Sequence, residues 1–328
     1  MRPRIYVTRA LPQAGLDLLA GEYDVEVNPH DRAATREELL AGVRGKDALL
    51  SLLTDTIDAE IMDAEPRLKV IANYAVGFNN IDVAAATERG ILVTNTPGVL
   101  TETTADLAFA LLMACARRVV EADGFMRAGK YKGWGPMLFL GSDVHGKTLG
   151  LVGFGRIGQA MAQRALGFGM RILYNDTKRA PEELEKAYCA KFRDLPDLLR
   201  ESDFVSLHVP LMESTHHLIS RAHLELMKRT AILINTSRGP VVDEKALVKA
   251  VKDGVIAGAG LDVFEREPQF EQGLERLANV VMVPHIASAS VETRTKMATM
   301  AAENACAAIR GEMPPNIVNA DVWDRRRR

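Results

Sequence analysis

Short apolar runs alternate with amphipathic stretches from the start of the chain. Residues 5–7 read as a strand, 11–19 as a helix and 25–27 as a second short strand. Residues 35–43 read as a helix with Thr35 as N-cap, and Glu38 stands three residues on, where a capping box needs it. Residues 48–53 carry no polar alternation except Ser51, which predicts a strand covered on both faces; 69–72 and 91–93 repeat the pattern. Strand and helix alternating in this way predict a parallel α/β sheet. One long helix is then expected over 101–126, where Leu107, Ala110, Leu111 and Ala114 recur at helical spacing. Gly133, Gly135 and Pro136 predict a loop over 129–141. A second α/β series begins at Lys147. Its expected strands are 149–154, 171–174, 204–209, 231–235, 258–262 and 280–283, with helices between them, the first at 159–167. An Ala- and Met-rich helix over 291–309 follows, and the basic tail 325–328 is expected to be solvated and disordered.

Composition narrows the class without naming a function. A length of 328 residues corresponds to about two domains. With 41 basic and 43 acidic residues the net charge is −2, which argues against a general nucleic-acid-binding surface. Cys115, Cys189 and Cys306 form no CxxC pair, so a disulfide framework is not expected and a reducing, cytoplasmic setting is the default. No apolar run reaches the length of a membrane span, and Pro12 and Gly15 break the N-terminal stretch before a signal-peptide core forms. His30, His145, His216, His217 and His223 show no metal spacing, so no metal is expected.

Gly153-Phe154-Gly155-Arg156-Ile157-Gly158 matches G-x-G-x-x-G. The motif follows an expected strand and opens an expected helix, the context in which it binds a dinucleotide. The first glycine permits the tight turn, the second admits a pyrophosphate against the backbone, and the third lets helix and strand approach. The helix N-terminus then offers free N–H groups to phosphate. Asp176 stands about twenty residues on, where an acid accepts from the adenosine ribose. A glycine-rich turn without a ligand is the bland alternative, and strand, glycines, helix and acid together make it the poorer one.

Three further segments, 235–243, 262–268 and 283–288, each follow an expected strand of the second series. Ligands of such sheets bind at the carboxyl ends of strands. An Arg, a carboxylate and a His there point to anion binding with general acid–base work. Singly, each has an ordinary reading as a surface Arg, a capping Glu and a satisfied His, and spacing alone does not bring them together.

With these segments the chain resembles the D-isomer-specific 2-hydroxyacid dehydrogenases nearly end to end. Within that family, segments 52–55, 73–82 and 134–141 are similar to the glyoxylate and hydroxypyruvate reductase group. Phe78 and Asn79 stand where that group often has Tyr-Asp. The resemblance implies two Rossmann-like parallel-sheet domains: a cofactor domain (99–286) inserted into a discontinuous, flavodoxin-like substrate domain built from 1–98 and 287–328. It also implies reduction of a small 2-oxo acid, glyoxylate or hydroxypyruvate, by hydride transfer. His285 matches the proton donor, and Glu267 the carboxylate that fixes its tautomer and favours the imidazolium. Arg238 matches the residue that binds the 2-oxo acid and polarises its carbonyl. Leu53, Val76, Gly77 and Trp134 join Arg238 and His285 on the substrate side, with backbone N–H groups of Val76 and Gly77 holding the carboxylate and Trp134 reaching a partner subunit's site.

The same resemblance sets the cofactor against Thr104, the three glycines with Arg156 and Ile157, then Asp176, Thr177 and Lys178. It continues through Val209, Pro210 and Thr215, and then Thr236, Ser237, Arg238, Asp262, His285, Ala287 and Ser288. NAD(H) is the preferred cofactor on the strength of Asp176, with NADP(H) as the alternative. A homodimer is expected through the helix from Thr101 and its following loop, with no nucleic-acid or membrane partner. The rival classes are a non-enzymatic, NAD-sensing corepressor of the same fold and a D-lactate or D-3-phosphoglycerate dehydrogenase.

Overall fold

The computed structural model describes residues 2–327, which divide into two compact units. The first takes the chain up to Leu100 and again from Ala289; the second is Thr101–Ser288.

The first unit is built on β1 (Arg4–Val7), β2 (Asp24–Val27), β3 (Ala48–Leu52), β4 (Val70–Tyr74) and β5 (Leu92–Thr94), all parallel in the order β2-β1-β3-β4-β5. Alternating residues of these strands face two cores. Leu50, Val70, Ala72 and Leu92 pack with Ala298, Ala301, Ala302 and Ala305 of the helix Val291–Arg310. Leu49, Ile71 and Val93 pack with Leu39, Ile61 and Met62 on the other face. The alanines let helix Gln13–Glu22 lie against Val291–Arg310 so closely that a Cβ on Gly15 would stand 2.8 Å from the backbone of Ala298.

The second unit carries β6 (Thr148–Val152), β7 (Arg171–Asn175), β8 (Ala190–Phe192), β9 (Phe204–Leu207), β10 (Ile232–Asn235), β11 (Gly258–Leu261) and β12 (Val280–Met282). They run parallel in the order β12-β11-β10-β9-β6-β7-β8. One face packs on helices Thr101–Ala116 and Arg156–Gly167, the other on Leu195–Glu201 and Glu244–Lys252. The strand order reverses between β6 and β9, which makes the carboxyl ends of these two strands the switch point where such sheets take ligands. No helix among the described residues is long and apolar enough to cross a membrane.

Three expectations are corrected. The long helix over 101–126 is two helices, Thr101–Ala116 and Val119–Arg127, broken at Arg118 with a left-handed φ of 52°. The cause is tertiary: the N–H of Ser142 donates to the Ala116 carbonyl at 2.8 Å, taking the end of the first helix, and Arg118 pairs with Glu121. β8 lies outside the expected strands, because a three-residue edge strand with one buried position carries too little apolar pattern to read. The basic tail is ordered through Arg327. Its guanidinium donates to the carbonyls of Arg89 at 2.8 Å and of Glu65 and Leu68 at 3.2 Å each, while Arg326 lies over the Trp323 ring. Arg328 lies outside the described residues.

Candidate active site

The glycine turn joins β6 to the helix Arg156–Gly167, and each glycine meets a different demand. Gly153 has φ 94°, and a Cβ there would stand 2.6 Å from the His208 carbonyl oxygen at the end of β9. A Cβ on Gly158 would stand 2.2 Å from the carbonyl oxygen of Gly153, so only glycine lets helix and strand approach. A Cβ on Gly155 would meet nothing within 4 Å. Nothing in the protein therefore requires glycine at that point, whereas a phosphate held against the backbone does. Gly155 is also the N-cap and brings no side chain to the helix's first N–H groups. Thr236, after β10, buries an Oγ1 without a hydrogen-bond partner among the described residues. Glycines, open helix end and orphaned hydroxyl fit a dinucleotide. Arg156 is exposed beside the turn, and Ile157 packs its side chain into the core beneath it.

Asp176 follows β7. One of its carboxylate oxygens accepts the N–H of Phe154 at 2.8 Å and the other that of Thr177 at 2.7 Å. The acid thus braces the glycine turn as well as standing beside it. Lys178 is exposed, whereas Arg179 is forked onto Glu185 through Nε at 2.9 Å and Nη2 at 2.8 Å. Thr215 turns its hydroxyl inward, donating to the Pro210 carbonyl at 2.7 Å and accepting from the Met212 N–H at 2.8 Å, and so closes the loop bearing Val209 and Pro210. Thr104 is buried on its helix. Burial holds His208 down at about 4 and hence neutral; its Nε2 lies 2.9 Å from Ser206 Oγ, a structural arrangement.

The ends of β10, β11 and β12 bring Arg238, Glu267 and His285 together. After β10, Asn235 folds the turn: its Oδ1 accepts from the Ser237 N–H at 3.0 Å and its Nδ2 donates to the Arg238 carbonyl at 3.0 Å. Arg238 Nη1 donates to the Ser237 carbonyl at 2.7 Å, and burial lowers the guanidinium from its ordinary value, with the Glu267 charge opposing. After β11, the fully buried Asp262 accepts the N–H of Ile286 at 2.6 Å and that of Ala287 at 2.9 Å. Its carboxylate thereby fixes the residues following His285. Burial pushes Asp262 up to about 6. His285 itself has a left-handed φ of 51°, and its Nδ1 lies 2.9 Å from Glu267 Oε2. Burial would raise Glu267; the bond to and charge of His285, the Phe264 N–H on Oε1 and the Arg238 charge outweigh it, leaving the acid below its ordinary value.

Leu53, Val76 and Gly77 belong to the first unit, at the carboxyl ends of the adjacent strands β3 and β4. Trp134 belongs to the second and is 83% exposed. Glu244, 3% exposed, is a further residue of the site that its sequence position does not single out. Its carboxylate accepts the N–H of Glu265 at 2.6 Å and of Glu271 at 3.0 Å, bracing the loop that carries Glu267. The only sequence signal was an acid next to the N-cap Asp243, which a plain capping residue gives equally.

The model of the D-isomer specific 2-hydroxyacid dehydrogenase NAD-binding domain matches residues 109–287. A glyoxylate reductase of Korarchaeum cryptofilum is 58% identical over 324 residues, 98% of this chain and 97% of its own. A glyoxylate reductase of Thermococcus litoralis is 55% identical over 326 residues, 98% of each chain. An NADPH-dependent glyoxylate/hydroxypyruvate reductase from Sinorhizobium meliloti, solved with NADP and malonate, superposes with a TM-score of 0.86 at 33% identity, covering 97% of each chain.

Proposed function

The chain belongs to the D-isomer specific 2-hydroxyacid dehydrogenases, NAD(P)-dependent oxidoreductases, and from that premise we propose that it reduces glyoxylate and hydroxypyruvate to the corresponding 2-hydroxy acids, of D configuration where C2 is a stereocentre. The observation that carries the reading is the pairing of His285 Nδ1 with Glu267 Oε2 at 2.9 Å beside Arg238, in a unit whose glycine turn fits a dinucleotide. The glyoxylate reductases that align over nearly the whole chain support the choice of substrate.

When bound, the reduced nicotinamide supplies the hydride that C2 receives. The chain supplies the rest. Backbone N–H groups of Val76 and Gly77 hold the substrate carboxylate, with Leu53 beside them. Arg238 places a planar cation on the substrate and draws electrons from the C2 carbonyl. Glu267 holds Nδ1 of His285, so the proton that leaves is the one on Nε2. It passes to the carbonyl oxygen as C2 is reduced, and His285 is left neutral. Asp262 and Glu244 act from behind by fixing the segments that carry His285 and Glu267. We further assign NADH as the preferred reductant and a homodimer as the working form, with Trp134 reaching toward the partner's site.

A steady-state panel of glyoxylate, hydroxypyruvate, pyruvate and 3-phosphohydroxypyruvate with both reduced cofactors tests this reading. The highest kcat/KM is expected for glyoxylate or hydroxypyruvate. No cofactor oxidation with any 2-oxo acid would favour the corepressor class.

A further inference from the structure

The turn after β4 presents three successive carbonyls, and each is tied to the body of the first unit. Ala75 O accepts from the Thr96 N–H at 2.9 Å, Val76 O from Asn95 Nδ2 at 2.8 Å, and Gly77 O from Asn73 Nδ2 at 2.9 Å. In a planar trans peptide the N–H of the following residue points opposite to the carbonyl. Thr96 therefore sets the direction of the Val76 N–H, Asn95 that of Gly77, and Asn73 that of Phe78. None of these three N–H groups donates to an acceptor among the described residues.

The two amides are themselves held. Asn73 is wholly buried in β4, and its Oδ1 accepts from Ser51 Oγ at 3.2 Å. Beside it Asn80 donates to the carbonyls of Leu52 and Asp55, at 3.0 Å each. The backbone carbonyl of Asn95 accepts from Nδ2 of Asn304 at 3.1 Å, and Asn304 is fully buried on the helix Val291–Arg310. The frame thus reaches from the sheet to the C-terminal helix, and it grips the turn on its acceptor side alone.

We propose that Asn95 and Asn73 are positioning residues that preset the N–H groups of Gly77 and Phe78 and so complete, with the Val76 N–H set by the Thr96 backbone, a three-donor cradle for the carboxylate of the 2-oxo acid. The proposal rests on the reading that this turn binds that carboxylate and adds to it the Phe78 N–H as a donor. A cradle of backbone donors holds an anion without burying an opposing charge, but only if the peptide planes are fixed beforehand. Two amide side chains supply that fixity. Without Asn95 the peptide between Val76 and Gly77 loses its anchor, and its N–H turns away from the carboxylate for part of the time.

The experiment compares glyoxylate with its neutral methyl ester in wild type, Asn95→Ala and Asn95→Ser, and measures NADH affinity by fluorescence titration. Asn95 is only half-buried, and the serine variant keeps a small polar residue should the alanine variant fail to fold. Wild type is expected to prefer the acid. In the variants KM for glyoxylate rises about tenfold or more, within the range of one hydrogen bond to a charged group, while KM for the ester, kcat and NADH affinity change less than twofold. A folded variant with unchanged KM for glyoxylate overturns the proposal, as does an equal rise for acid and ester, which marks general loosening. A wild type that does not discriminate acid from ester instead overturns the carboxylate reading of the turn, and the cradle falls with it.

Discussion

The carboxylate of Asp262 accepts the backbone N–H of Ile286 at 2.6 Å, so a fully buried acid at the end of β11 holds the residue that follows His285. An amide in its place would turn a donor toward one of the two N–H groups it now satisfies. Asp262→Asn is therefore expected to lower kcat at least tenfold by releasing the His285 segment. It also removes a titration. Burial raises Asp262 from 3.8 to about 6, so the folded state binds this proton more tightly than the unfolded chain does. The Asp262 contribution to stability is complete below pH 4 and is lost as pH rises to about 6. A group that binds its proton more tightly in the folded state favours folding only while it is protonated. The unfolding free energy of wild type minus that of the variant should fall across this window and stay level above it. A difference that is flat from pH 4 to 7 would refute the linkage.

Gly155 and Gly158, three residues apart in the same turn, separate fold from ligand. Gly158→Ala places a Cβ 2.2 Å from the Gly153 carbonyl oxygen and is expected to cost about 1–3 kcal/mol of stability as an overpacked contact. Gly155→Ala meets nothing within 4 Å and should leave Tm unchanged, yet weaken NADH binding at least tenfold because the methyl group takes the room of the pyrophosphate. Calorimetry and fluorescence titration read the two effects. Unaltered NADH affinity in Gly155→Ala would remove the dinucleotide from this turn.

NADH should be preferred over NADPH. Asp176 would face the 2′-phosphate of NADPH; two unit charges at about 4 Å and an effective dielectric near 20 repel by roughly 4 kcal/mol before screening. Salt and movement reduce this to about 1–2 kcal/mol, or roughly a tenfold preference. Arg179, the nearby cation that would offset it, is already forked onto Glu185. The ratio of kcat/KM for the two cofactors should exceed about tenfold in wild type and narrow in Asp176→Ser. Equal values in wild type would mean that Lys178 outweighs the carboxylate.

The segment 119–140 carries a run of exposed large apolar side chains, the surface a subunit interface would cover. Trp134 is 83% exposed and Met137 77%, and Val120, Met126 and Leu140 are each more than half exposed. Sedimentation at micromolar concentration should give a dimer, and Trp134→Ala should raise KM for the 2-oxo acid. A single species at the monomer mass would contradict the pairing.

What the sequence made legible follows the range of the interactions involved. The strand, glycine turn and helix around Gly153 to Gly158 could be read directly because the motif is local. The capping box of Thr35 and Glu38 is local too, and both of its bonds are present. The grouping of Arg238, Glu267 and His285 came from family resemblance, since each follows a different strand. The break at Arg118 was illegible because the apolar spacing continues through it; the bond that ends the helix comes from Ser142. Arg327 reads as a solvated charge until the carbonyls of Glu65, Leu68 and Arg89 are placed around it. Asn73, Asn95 and Glu244 have the same limitation. An amide or acid near the end of a strand or the start of a helix has an ordinary local use, and only the fold shows which backbone it holds.

Proton donation by His285 is the step on which the proposed reduction turns. The direct measurement is kcat for glyoxylate reduction by His285→Gln, with NADH affinity measured on the same preparation. The substitution leaves the glycine turn and Asp176 untouched, so NADH affinity should stay within about twofold, while kcat falls by about 10²–10⁴-fold, the usual worth of a positioned acid. A variant that binds NADH normally and keeps kcat within about threefold of wild type would show that the proton comes from elsewhere.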